Sequence, residues 1–392
     1  MKVTFRHMAL MLAAMLLSSC GGSGDEPGVD PVPQPNDPTP IAFSGGLAES
    51  HSESHARTRA TTAALSETHE QFHVWAYKNP TSGSAETVMQ NYTVNWLTGS
   101  AHTTASNSSG WEYVNQQPNG GVQQSIKYWD FDADDYRFFG YAGTGVTKIY
   151  TPSETAPTSV SLSFGVSVAS NPQKDPVTLV LNSSTPLYSK LWYKAKASLP
   201  AQKNSPVTLE FLQPYVKVRF MFRQSEPETT KFILSEMKFR PTPPTGSGTQ
   251  KEIATAGAFT VTYPMSGATT ENWSITNVTS TLNHVTEGEY PGFTQNYYEA
   301  ASDATDEVKA GEKMWYVVLP AKDQGTYTLS LKVNGKEKTV VLPAKYMEWQ
   351  PGYAYTYIFK ITENGGVEID AVQSAFTSWT LHETDDYKIY NW

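Results

Sequence analysis

An alternation of apolar and polar residues with a period of two is the feature of this sequence that most constrains its fold. The clearest example is residues 159–168, where Val, Leu or Phe occupies every second position and Ser or Gly most of the others. Residues 72–77 and 92–96 also alternate. This period is typical of β-strands that bury one face and expose the other to water. The sequence therefore predicts an all-β protein.

One turn can be placed from the sequence alone. The pair Asn334-Gly335 separates two apolar-rich segments, 327–331 and 338–342. Asn and Gly readily adopt the left-handed backbone conformation that a two-residue hairpin turn requires. We therefore expect a β-hairpin centred on this pair.

Length and composition limit the class of protein. The chain has 392 residues, one Cys, 17% charged residues and a formal net charge of −9. These values exclude a coiled coil, a disulfide scaffold and a basic protein that binds nucleic acid. A polar, proline-bounded segment at 199–206 predicts a domain boundary near residues 196–206, which we place between residues 41–202 and residues 203–392. Both parts have a size that is usual for β-sandwiches.

The first 40 residues predict export and a lipid anchor. Residues 1–20 read as a signal peptide, with a positive start and an apolar run that is too short to span a bilayer. The run ends in Leu17-Ser18-Ser19-Cys20, which resembles the lipobox of bacterial lipoproteins. Cys20 would then carry a diacylglycerol and a further acyl chain such as palmitate, and the alternative is a buried core Cys. Residues 21–40 contain six prolines and predict an extended linker.

A literal H-E-x-x-H motif spans His69 to His73, with Glu70 in second position. On a helix this motif places two imidazoles on one face to bind zinc, and the Glu acts as the base of a hydrolase. Here the residues that follow alternate as a strand, and in a strand the two His would lie about 13 Å apart along the chain. We therefore expect a strand rather than a zinc site.

Four carboxylates lie close together at Asp130, Asp132, Asp134 and Asp135. The first three resemble the alternate-residue start of a calcium-binding loop, but Asp135 stands where that loop requires Gly. We expect a solvated loop between two strands, with a looser calcium site as the alternative.

Several segments carry a family likeness. They are Gln71–Tyr77, Ile126–Asp130, Tyr136–Ala142, Val207–Leu212, Val216–Phe220 and Trp349–Tyr357. Together with the lipobox, their order and spacing resemble the fimbrillin-like family, the subunits of type V pili. Two residues depart from the family pattern, since Asp130 stands where Pro is common and Gln213 where His is frequent.

The resemblance implies two tandem transthyretin-like β-sandwiches, no cofactor and no enzymatic activity. Family subunits reach the outer membrane as lipoproteins, and many are then cut by an arginine-specific protease. The cut removes the first strand, which leaves unpaired backbone groups and an apolar slot. A strand from a neighbouring subunit, either another protein or a second copy, fills this slot by β-augmentation.

For this chain, the resemblance places the removable strand at residues 41–44, within a pro-segment that covers 41–59. Arg59 is the preferred cleavage site, because Thr58-Arg59-Ala60 matches a frequent family pattern, and Arg57 is the second candidate. The alternative is that both are ordinary solvated arginines.

The donor strand would lie in the C-terminal segment that begins at Val367. Ala375, Phe376, Trp379 and Leu381 would supply its apolar contacts. The alternative is a strand that completes its own domain.

Three functions stay open at this stage. The first is a non-enzymatic pilus subunit or accessory protein at the cell surface. The second is a surface lipoprotein that does not polymerise and binds a host glycan or protein, for which exposed aromatic rings could serve as stacking platforms. The third is a zinc hydrolase that uses His69 and His73.

Overall fold

The computed structural model describes residues 38–47, 65–79, 85–97, 110–116, 123–144, 146–150, 158–168, 183–224, 234–242, 253–279, 316–322, 325–362 and 364–376. Nearly all regular structure in these residues is β, which confirms the predicted fold class. One short α-helix, α1 (Leu65–Thr68), accompanies the strands. Among the described residues, no helix is both long enough and apolar enough to cross a membrane.

Nineteen strands occur in the described residues. In chain order they are β1 (Phe43–Leu47), β2 (Gln71–Lys78), β3 (Glu86–Trp96), β4 (Trp111–Glu112), β5 (Asp135–Ala142), β6 (Val146–Tyr150), β7 (Ser159–Ser167), β8 (Leu187–Ser189), β9 (Trp192–Ala195), β10 (Val207–Leu212), β11 (Val216–Gln224), β12 (Leu234–Pro241), β13 (Ala256–Pro264), β14 (Asn272–Thr279), β15 (Tyr316–Val318), β16 (Tyr327–Val333), β17 (Lys336–Leu342), β18 (Tyr353–Ile361) and β19 (Val367–Phe376). Short 3-10 turns occupy Lys196–Ser198, Pro200–Gln202 and Ala344–Tyr346.

Two sheets that pack face to face draw their strands from β1 to β10 and from β13 and β14. The larger sheet has the order β1-β10-β8-β5-β2-β3-β4. Its eighth strand, β9, pairs with β5. The smaller sheet has the order β14-β13-β7-β6. Trp75 and Phe139 of the larger sheet share one core cluster with Phe164, Phe259 and Tyr263 of the smaller sheet. This shared core defines a β-sandwich.

A second pair of sheets is built from β11, β12 and β15 to β19. One has the order β15-β11-β18-β19 and the other the order β12-β16-β17. Their facing side chains form one core, in which Phe220 and Tyr357 of the first sheet contact Phe239 of the second. This pair of sheets is a second sandwich.

The larger sheet is buried on both faces at its centre. On β2, Phe72 and Val74 face one core cluster, while Trp75 and Tyr77 face another and are only 2% and 4% exposed. The expectation that this strand has one wet face was therefore wrong, because the smaller sheet covers its second face. For β7 the expectation is confirmed, since its Val, Leu and Phe residues are buried and the Ser and Gly between them are half-buried or exposed.

Strand pairing crosses the predicted boundary between residues 202 and 203. Strand β10 lies after this position but pairs with β1 and β8, which lie before it. Strand β13 likewise pairs with β7 over nine residues. Each of these pairs joins a strand before residue 202 to a strand after it, so the sheets are not divided at this position. The predicted domain boundary stays a prediction.

The predicted hairpin is confirmed. Val333 of β16 pairs with Lys336 of β17, so Asn334 and Gly335 form a two-residue turn. Their φ angles of 49° and 76° are the two positive values that this turn requires.

Gly140 in β5 lies where no side chain fits. A Cβ atom at this position would be 2.1 Å from the carbonyl oxygen of His73 in β2. We expect Gly140→Ala to lower the free energy of unfolding by about 1–3 kcal/mol or more, because overpacking here forces two paired strands apart. Gly165→Ala is the matched control, since Gly165 is an exposed glycine of β7 and should change stability by no more than about 0.5 kcal/mol. Urea unfolding of both variants measures the difference, and equal midpoints would contradict the prediction.

Candidate assembly site around the first strand

The first strand forms one edge of the larger sheet. β1 pairs in parallel with β10, with Phe43 opposite Val207 and Leu47 opposite Phe211. Just before β1, the backbone N–H of Val207 donates to the carbonyl oxygen of Ala42 at 2.8 Å. β1 stands at the end of the strand order of the larger sheet, and its strand partner there is β10.

The residues that precede β1 pair with a different segment. Pro40 and Tyr128 form an isolated antiparallel bridge. The backbone N–H of Ile41 donates to the carbonyl oxygen of Lys127 at 2.8 Å, and that of Trp129 donates to Thr39 at 2.9 Å. Residues 39–47 therefore lie in a slot between β10 and residues 127–129, which we call the β1 slot.

The β1 slot is apolar and filled. Ile41 and Phe43 are fully buried and Leu47 is 5% exposed. The ring of Phe43 makes edge-on contacts with three rings, at centroid distances of 6.0 Å to Phe72, 5.7 Å to Tyr113 and 5.9 Å to Phe138. Edge-on aromatic pairs add stabilisation beyond the area that they bury. Phe43 is therefore the main apolar anchor of the first strand.

The hydroxyl of Tyr113 lies between the two sides of the slot. It is 2.9 Å from the carbonyl oxygen of Ile41 and 3.2 Å from that of Lys127, and it accepts the backbone N–H of Lys127 at 3.0 Å. Burial raises the pKa of Tyr113 well above its ordinary value, so the group stays protonated. Nothing in the spacing along the chain indicated this role, because Tyr113 lies 72 residues from Ile41.

Helix α1 packs against β1 near Gly45 and ends just before His69, the first residue of the H-E-x-x-H segment. His69 follows α1 and donates through Nε2 to the carbonyl oxygen of Thr185 at 3.0 Å, while its Nδ1 is 2.9 Å from Thr68 Oγ1. Burial lowers the pKa of His69, which favours the neutral imidazole. Both ring nitrogens of His69 therefore have partners within the fold.

The two His of the motif do not share a helix. His73 lies in β2, where its ring stacks on Tyr141 at a centroid distance of 4.7 Å, and burial lowers its pKa. The expected strand is thus confirmed at Gln71–Lys78. Within the described part of the chain, no group of three His, Cys, Asp or Glu side chains could hold a metal ion.

Lys78 and Asn79, at the end of β2, hold the acidic loop in place. Asp130 Oδ2 accepts from Lys78 Nζ at 2.8 Å, and this contact lowers the pKa of Asp130. Asp130 Oδ1 accepts the backbone N–H of Asp132 at 3.0 Å, and the backbone N–H of Asp134 donates to Asn79 Oδ1 at 2.7 Å. These hydrogen bonds fix the loop between residues 127–129 of the slot and β5. The looser calcium site stays a prediction.

The C-terminal candidates lie on β19 or beyond it. β19 pairs antiparallel with β18 along its length, with Ala375 opposite Ala354 and Phe376 opposite Tyr353. This pairing agrees with the alternative of a strand that completes its own domain. Trp379 and Leu381 lie outside the described residues, as do Cys20, Arg57 and Arg59. Their roles stay predictions.

These features define a class of protein, an all-β protein of packed sheets whose first described strand is a buried edge strand. The particular family follows from a family model described as fimbrillin-like, which matches residues 58–379, most of the chain. The chain therefore belongs to the fimbrillin-like family. Membership of this family supports a structural role in a pilus at the cell surface.

Comparison with individual proteins gives more distant likenesses. No curated protein matches the chain. A candidate cell adhesion protein from Bacteroides uniformis is 15% identical, with 88% of this chain and 100% of that chain covered and a TM-score of 0.36. A fimbrial assembly protein from Parabacteroides distasonis is 14% identical, with 85% and 100% covered and a TM-score of 0.31. The fimbrial anchor protein Mfa2 from Porphyromonas gingivalis is 9% identical, with 86% and 99% covered and a TM-score of 0.27.

Proposed function

We propose that this chain is a pilus subunit that is exported as an outer-membrane lipoprotein through Cys20. An arginine-specific protease cuts it after Arg59, and assembly follows by strand exchange. The observation that carries the proposal is the position of β1, a buried edge strand that ends at Leu47 and precedes Arg57 and Arg59 in the sequence.

Removal of the first strand would create a docking site of defined chemistry. The N–H of Val207 and Trp129 and the carbonyl oxygen of Lys127 would lose their partners in residues 39–42. Phe72, Phe138 and Tyr113 would lose the ring of Phe43. Exposed apolar surface and unpaired backbone groups on a sheet edge both favour capture of another strand. A strand from a neighbouring subunit would cover the apolar surface and pair with the backbone groups.

The C-terminal segment is the proposed donor to the next subunit. β19 is an edge strand of its sheet, and residues 377–392 extend past it. Pairing with β18 in the isolated chain is compatible with donation, if β19 or the residues after it exchange partners on assembly. Ala375, Phe376, Trp379 and Leu381 are the proposed apolar contacts of the donated strand.

The cleavage step predicts a specific product. Treatment of the purified chain with an arginine-specific protease is expected to give a new N-terminus at Ala60, read by intact mass. Arg59→Ala should abolish this product, and Arg57→Ala is the control that should leave it unchanged. Equal cleavage of wild type and Arg59→Ala, or cleavage elsewhere, would contradict the proposed maturation site.

A monomer that stays uncut would favour the second function, a surface lipoprotein that does not polymerise. Glycan-array binding by that monomer would then identify its ligand class. Retention of radiolabelled palmitate by the wild type but not by Cys20→Ser tests the lipid anchor independently of the cleavage.

A further inference from the structure

The side chains that enter the β1 slot alternate along the strand. Ile41, Phe43 and Leu47 point into one core cluster and are buried, and Gly45 occupies the matching position between Phe43 and Leu47. A strand that lies parallel to β10 in the same register therefore presents four positions to the interior. Three of these positions hold large apolar side chains and one holds none.

Gly45 marks a place where the slot is too narrow for a large side chain. A Cβ atom there would lie 3.3 Å from Leu65 Cδ2, 3.5 Å from a ring carbon of Phe72 and 3.6 Å from one of Phe211. A methyl group would fit after a shift of a few tenths of an ångström. A branched side chain would put further carbon atoms among these three residues and overpack the core.

The opposite side of the strand is less demanding at Ser44 than at Ala42, which is 7% exposed. Ser44 is half-buried, and its hydroxyl lies 2.8 Å from the hydroxyl of Thr208 on β10. Substitution at this position changes one partly exposed hydrogen bond, which contributes little to the fit. The selectivity of the slot therefore resides in the four inward positions.

We propose that the β1 slot selects a parallel strand of the pattern large–x–large–x–Gly/Ala–x–large, and that it therefore takes its strand from a different subunit rather than from a second copy of this chain. The proposal rests on the proposed strand exchange and names the partner of that site. The partner is an extended peptide segment with a glycine or alanine flanked by apolar residues at the stated spacing.

The chain's own C-terminal segment does not meet this pattern. Aligned so that Ala371 replaces Gly45, it offers Val367 and Ile369 at the first two inward positions but Gln373 in place of Leu47. Burial of an amide in this apolar place is costly unless it finds a hydrogen-bond partner.

A second alignment of that segment fails at the other end. With Ser374 in place of Gly45, it offers Val372 and Phe376 but puts Asp370 where Ile41 is fully buried. A carboxylate at this position is more costly still. Every parallel alignment within residues 365–381 has a polar or oversized residue at an inward position. A homopolymer built through this slot is therefore disfavoured.

The test uses the full chain with a viral-protease recognition sequence in place of residues 57–60, so that the slot opens whether or not Arg59 is the natural cleavage site. The cut strand is released in mild urea and removed by gel filtration. Fluorescent peptides then report binding by anisotropy. The probes are the β1 peptide, residues 38–49, and the C-terminal peptide, residues 365–381.

The β1 peptide is expected to bind, and the C-terminal peptide to bind about 10- to 100-fold more weakly. Gln373→Leu in the C-terminal peptide should recover most of this loss. In the β1 peptide, Leu47→Gln and Gly45→Val should each weaken binding about 10- to 100-fold, whereas Ser44→Gln, the matched control, should stay within about threefold.

Equal binding of the two peptides overturns the preference for a different subunit. Equal binding of the Gly45→Val and wild-type β1 peptides overturns the selection by size. A β1 peptide that never binds the opened chain overturns the slot as a docking site. Failure of the arginine-specific protease to cut at Arg59 bears only on the proposed maturation and leaves these three results interpretable.

Discussion

Phe43→Ala is expected to lower the free energy of unfolding of the first sandwich by about 3–5 kcal/mol. The ring is fully buried and has edge-on contacts with Phe72, Tyr113 and Phe138, so its removal leaves a cavity that three rigid rings cannot close. A loss of this size is unusual for a strand at the edge of a sheet. It is expected here because the side chain of Phe43 lies within the core, although the backbone of β1 lies at the edge of the sheet.

Chemical denaturation monitored by tryptophan fluorescence measures this change. Ser44→Ala is the matched control on the same strand, since it removes only a half-exposed hydroxyl, and its cost should be no more than about 1 kcal/mol. Similar midpoints for the two variants would show that β1 does not belong to the core. In the proposed assembly, Phe43→Ala should also release the first strand faster after cleavage, which gel filtration of the cut protein would detect.

Arg137→Ala is the second substitution with a large expected effect, about 3–5 kcal/mol. Arg137 lies on β5 and is fully buried, and its Nη1 donates to the carbonyl oxygen of Pro264 and, at 2.7 Å, to that of Ala268. Its Nε lies 3.6 Å from Oδ2 of the buried Asp135, and its guanidinium lies over the ring of Tyr193 at 5.1 Å. The side chain thus ties the larger sheet to the turn that links β13 to β14.

Removal of the guanidinium takes the Arg137 cation away from the buried Asp135 carboxylate and one donor away from each of two carbonyl oxygens, and each loss carries a desolvation cost. Arg137→Lys is the informative control. It keeps the charge but lacks the planar fork that reaches two carbonyls at once, so its loss should be smaller but measurable. A stability of Arg137→Ala within 1 kcal/mol of wild type, about the worth of one ordinary hydrogen bond, would contradict this account.

Much of the fold could be predicted because strand formation and tight turns depend on nearby residues. The alternation in 159–168 predicts β7 and its wet face, and Asn334-Gly335 predicts the β16–β17 hairpin, since both signals arise within a few residues. The strand at Gln71–Lys78 could also be predicted, and it separates His69 from His73 in secondary structure. The burial of the second face of β2 could not be predicted, because the sheet that covers this face includes β13 and β14, which lie far along the chain from β2.

The candidate site divides in the same way. The sequence predicted a short strand near residues 41–44, and the likeness to the family predicted cleavage at Arg59. The sequence did not predict that β1 pairs in parallel with β10, since the two strands are 164 residues apart at Ser44 and Thr208. It also did not predict that Tyr113 joins both sides of the slot or that Gly45 limits the size of an occupant.

The sequence by itself determined the β class, the hairpin, the likeness to the fimbrillin-like family and the expectation of a removable first strand. These follow from local periodicity, turn chemistry and ordered motifs. Only the tertiary structure decided which strands are neighbours, which face of each is buried and how the β1 slot is shaped. The physical reason is that backbone pairing between strands is the same for every sequence, so partners are selected by side-chain packing among residues far apart in the chain.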